Sequence, residues 1–95
     1  MVNRFKPSRE QAEVLALRCI AEIAGDSALG PRFLALTGLD IDGLRASLGT
    51  PATLAATLDF LLGHEPTLLA VTGRLGVEPA AVADAARVLR GEESA

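Results

Sequence analysis

Ser8-Arg9-Glu10-Gln11-Ala12-Glu13-Val14-Leu15-Ala16-Leu17-Arg18-Cys19-Ile20-Ala21-Glu22-Ile23-Ala24-Gly25 is the stretch that decides the class of fold. Ser8 and Gln11 have the form of a capping box, in which a serine hydroxyl takes the backbone N–H three residues on and the glutamine reaches back. Ala12, Leu15, Ala16, Cys19, Ile20 and Ile23 recur at helical spacing and share one face. Gly25 supplies the stop. A second apolar strip, Val14, Leu17 and Ala21, lies on the opposite side, rimmed by Glu10, Glu13 and Arg18. An apolar strip inside a charged rim is the pattern of a helix-in-groove or dimer contact. These three residues are the candidate interface.

The same punctuation continues along the chain. Asp26 and Ser27 offer a cap, but Gly30-Pro31 breaks the turn after it, so the second helix is predicted from Pro31 to Thr37, with Gly38 ending it. Asp40 caps a short third helix through Leu48. Thr50-Pro51 puts a good cap before a proline and opens a fourth, to Leu62. Pro66 opens a fifth, ended at Gly76, and Pro79 a sixth, ended at Gly91. No alternating strand pattern of useful length interrupts these signals. The expectation is an all-α fold: a compact single-domain bundle of five or six short helices, with the first and fourth central. Residues 1–7 form a basic N-terminal arm, 8–91 the helical domain and 92–95 an acidic tail. Gly38-Leu39-Asp40 followed by Leu44 is echoed by Gly76-Val77-Glu78 followed by Val82, which reads as two copies of one helix–corner–helix device.

Composition narrows the function classes. With 95 residues, 49% of them hydrophobic and 22% charged, the chain is one globular domain rather than a disordered or fibrous polymer. A lone cysteine, Cys19, makes no intrachain disulfide, and with a lone histidine, His64, it cannot complete a four-ligand zinc site. The apolar run from Ala52 to Gly63 falls short of the roughly 20 residues a bilayer span needs. A cytoplasmic protein with no cofactor and no membrane is expected.

Chemistry-bearing patterns are sparse. Cys19 falls on the inward face of its helix and reads as a core residue. Asp59 and His64 would make a carboxylate–imidazole pair, but no nucleophile stands in register with them. The simpler reading puts His64 at a helix C-terminus and Asp59 on a neighbouring helix end. No phosphate-binding glycine pattern occurs. The chain is therefore expected not to be an enzyme.

Nucleic acid is the alternative partner. The segment from about Leu68 to Arg90, turning through Gly76-Val77-Glu78, has the outline of a helix-turn-helix. Its second helix opens with Pro79, Ala80, Ala81, Ala83 and Asp84, which cannot make bidentate contacts to bases. Three of nine basic residues, Arg4, Lys6 and Arg9, precede Glu10, whereas all twelve acidic residues lie from Glu10 onward. Arg4, Lys6, Arg9, Arg87 and Arg90 are the candidate nucleic-acid contacts under that alternative. The net charge of −3 makes it the less favoured one. Another protein, or a second copy of the chain, is the preferred partner.

Several segments together resemble a known family. Ser8-Arg9-Glu10-Gln11-Ala12-Glu13, Gly25-Asp26, Arg32-Phe33-Leu34-Ala35-Leu36-Thr37-Gly38-Leu39 and Leu58-Asp59-Phe60-Leu61-Leu62 are similar to a small alphaproteobacterial family of unknown function, number 3572. The resemblance spans about Ser8 to Leu89, with Pro31 as a departure. It implies a compact helical bacterial protein and brings no functional residues with it.

Overall fold

The computed structural model describes residues 7–38 and 40–91, apart from the side chains of Ile41 and Ser47. Arg4, Lys6 and the tail from residue 92 lie outside the described residues. Among the described residues six helices follow one another: α1 (Arg9–Ala24), α2 (Leu29–Thr37), α3 (Ile41–Ser47), α4 (Pro51–Leu62), α5 (Glu65–Leu75) and α6 (Pro79–Leu89). Among the described residues there is no strand. The fold is all-α.

Local chemistry accounts for most of the boundaries. The Gln11 N–H donates to Ser8 Oγ at 3.1 Å and the Ser8 N–H donates to Gln11 Oε1 at 2.8 Å, closing the capping box. Asp40 accepts from the Gly43 N–H at 2.6 Å, and Thr50 Oγ1 from the Thr53 N–H at 3.3 Å. Gly38 and Gly76 take left-handed φ values of 74° and 70° and end α2 and α5. Both corners then enter the next helix through an extended residue, Asp40 or Glu78, but only Asp40 caps with its side chain.

Two starts differ from expectation. Helix α2 begins at Leu29, two residues before Pro31. Asp26 Oδ1 accepts from the N–H groups of Ala28 and Leu29 at 2.8 and 2.9 Å, so Asp26 does nucleate the turn. Pro31 then falls third in the helix, where its missing N–H would have had no intrahelical partner. Helix α5 likewise begins at Glu65, with Pro66 second.

The core lies between α1, α4 and α6. Ala12, Ala16, Cys19 and Ile23 from α1 meet Leu54, Leu58 and Leu61 from α4, all essentially inaccessible to solvent. Helix α6 packs against both through Val82, Ala85, Ala86, Val88 and Leu89. The expected centre, α1 and α4, is thus shared by a third helix. The alanines of α1 and α6 make this possible, because they let two backbones approach without a side chain between them. Phe60 points away from the main stripe of α4 and meets Phe33 of α2 edge to face, ring centres 5.2 Å apart. Two buried threonines stay satisfied by donating to carbonyls one turn back, Thr57 to Thr53 at 3.0 Å and Thr72 to Leu68 at 2.8 Å.

Candidate interaction face on α1

With its inner face occupied, α1 leaves its outer face bare. Val14 and Leu17 are 51% and 42% exposed, and Ala21 and Ala24 beside them are also exposed. The three residues of the candidate interface therefore sit together on the surface. Ala24 extends their strip by one position, at the same spacing, and was legible in the sequence.

Charged groups border the strip on both sides. On one flank Arg18 extends its guanidinium to α5, where Nη2 donates to the Leu75 carbonyl at 3.2 Å. On the other flank Glu13 lies 3.9 Å from Arg9. Beside the strip, Val14, Leu15, Gln11 and Pro7 form one wall of a shallow groove of about 420 Å³, with Val77 and Ala81 opposite. Sequence reading missed this groove because its far wall comes from the corner between α5 and α6, more than 60 residues away along the chain.

The other candidates fall elsewhere. Cys19 is fully buried, and burial pushes its thiol pKa up to about 11, the opposite of what a nucleophile needs. His64 follows the end of α4, as expected, but it is also the N-cap residue of α5, with Nδ1 2.6 Å from Thr67 Oγ1. The expected interaction with a helix C-terminus is therefore offset by the opposite dipole end of α5. Asp59 Oδ1 accepts from Arg90 Nη1 at 2.5 Å, which ties α4 to the end of α6. Among the described residues, no group of acidic, histidine or cysteine side chains is placed to hold a metal ion.

The segment read as a helix-turn-helix forms α5 and α6, joined through Gly76, and α6 is turned inward. Its solvent-facing residues are Ala80 and Arg87, with Arg90 exposed at its C-cap and Pro79, Ala81 and Ala83 partly covered. Arg87 is paired with Asp84, Arg90 with Asp59 and Arg9 with Glu13. No single described helix is long and apolar enough to cross a membrane.

No curated protein and no solved structure matches the chain. A family profile does match, over residues 9–92, which takes in every helix and both walls of the groove except Pro7. The chain belongs to the family described as protein of unknown function DUF3572.

Proposed function

We propose that this protein is a non-enzymatic interaction module that docks a partner helix on the outer face of α1. The observation that carries the reading is the pairing of Val14 and Leu17, half-exposed and adjacent on a helix whose other face is core. Two large apolar side chains held out together by a rigid helix gain by being covered. The module works in the bacterial cytoplasm, a reducing compartment that suits a single unpaired thiol. The inward turn of α6 and the pairing of Arg9, Arg87 and Arg90 favour a protein partner over nucleic acid.

A photo-reactive residue in place of Leu17, in living cells, tests this. One discrete adduct is expected, with another protein or with a second copy, and it should disappear on Val14→Glu. No adduct, or the same adduct from a photo-reactive residue at the exposed position of Arg45, contradicts it.

A further inference from the structure

The exposed residues of α1 are not merely apolar; they are spaced. Glu10, Val14, Leu17, Ala21 and Ala24 recur at intervals of four, three, four and three, and all five face solvent. That is the seam of a two-stranded coiled coil, with Val14 and Ala21 at a positions and Leu17 and Ala24 at d positions. A β-branched residue at a beside leucine at d is the combination that favours two parallel strands. Glu10, at the preceding d position, ends the seam on the N-terminal side.

The flanks agree with the seam. In this register Glu13 falls at g and Arg18 at e, five residues on. In a parallel pair the g residue of one strand faces the e residue of the next turn in its partner, so Glu13 meets Arg18 of the second copy, twice by symmetry. An antiparallel pair brings like flanks together and gives Glu13 no cation from the second copy, leaving it only Arg9 of its own helix. Both side chains lie at the surface, Glu13 partly and Arg18 well exposed, so neither must leave the core to pair.

We infer that the partner on α1 is a second copy of this chain, joined in parallel along Val14, Leu17, Ala21 and Ala24 and held in register by Glu13–Arg18 ion pairs. This rests on the interaction reading above and names its partner. The seam covers about three helical turns, which makes a weak, concentration-dependent dimer rather than an obligate one.

Sedimentation equilibrium of the full chain, from about 10 µM to 1 mM, tests it. The expected result is a reversible dimer that Glu13→Arg or Arg18→Glu alone weakens about tenfold, each change appearing twice in a symmetric contact. Glu13→Arg combined with Arg18→Glu restores it, which a purely intramolecular role for Arg18 would not produce. Ala21→Cys, small for small at an exposed site, should oxidise to a disulfide-linked dimer, since a positions face each other only in the parallel pair; the buried Cys19 does not compete. A single-chain mass at every concentration, or a double variant no better than the weaker single one, overturns the proposal. So does a disulfide that forms between a Leu17→Cys chain and an Ala21→Cys chain but not between two copies of Ala21→Cys, since an antiparallel pair sets a against d. If Leu17 captures a different protein while the chain remains monomeric, self-pairing fails and the interaction reading stands; if it captures nothing, both fail.

Discussion

Arg18 of α1 donates from Nη2 to the backbone carbonyl of Leu75, 3.2 Å away at the end of α5. The last carbonyls of a helix have no partner within it, and the negative end of its dipole lies there, so a guanidinium answers both needs. One side chain thereby joins two helices 57 residues apart. Arg18→Ala should lower stability by about 1 kcal/mol, within the range of a single exposed hydrogen bond to a charged donor. Urea unfolding at about 1 µM, where dimer is absent, reads this directly, and Arg18→Lys should recover only part of the loss.

Asp26 predicts a pH dependence. The Leu29 and Ala28 N–H groups donate to its carboxylate and Arg74 lies beside it, so its pKa is held below the ordinary carboxylate value. A carboxyl with a depressed folded-state pKa contributes stability that is present above its unfolded value and is lost as pH falls toward the folded one. Asp26→Asn keeps an acceptor for the two N–H groups but removes the charge. It should lower the urea midpoint at pH 7, and its difference from wild type should shrink as both are titrated below about pH 4.

Two glycines of α5 and its C-terminal corner should respond in opposite directions. Gly76 holds φ at 70°, so an added side chain is strained there and Gly76→Ala should cost about 1 kcal/mol. Gly73 lies within the helix with open space around the position of a Cβ, so Gly73→Ala should stabilise by about 0.5–1 kcal/mol. Thermal unfolding of the two variants is enough to see the change of sign.

Leu58 and Leu36 separate core from surface. Leu58 is fully buried in α4 and Leu36 is 66% exposed on α2. Leu58→Ala should cost about 3 kcal/mol and Leu36→Ala less than about 0.5 kcal/mol by denaturant unfolding.

How much of this could be read in the sequence follows from how local each cause is. The capping box at Ser8 and Gln11, the Thr50-Pro51 start and the left-handed Gly76 are settled within four residues, and each falls where the pattern put it. The start of α2 does not, because Asp26 acts across two intervening residues and Pro31 is harmless in a first turn. The two faces of α1 were legible as well, since Ala12, Leu15, Ala16, Cys19, Ile20 and Ile23 form a continuous apolar face, whereas the opposite strip is rimmed by Glu10, Glu13 and Arg18. The central place of α6 was not: Val82, Ala85, Ala86, Val88 and Leu89 mark its inward face clearly, but that face has its partners on α1 and α4, far away along the chain. Arg18–Leu75, Arg74–Asp26 and Arg90–Asp59 join positions 57, 48 and 31 residues apart, and no spacing rule reaches that far.

Whether the outer strip of α1 is a contact surface or an idle one can be read residue by residue. Amide proton–nitrogen correlation spectra of the labelled chain, recorded from about 20 µM to 1 mM, make that measurement. Concentration-dependent shifts are expected at Glu13, Val14, Leu17, Arg18, Ala21 and Ala24, with Leu36 and the other residues of α2 unchanged. Spectra that do not change with concentration, or shifts gathered around Leu36 instead, would contradict a contact on α1.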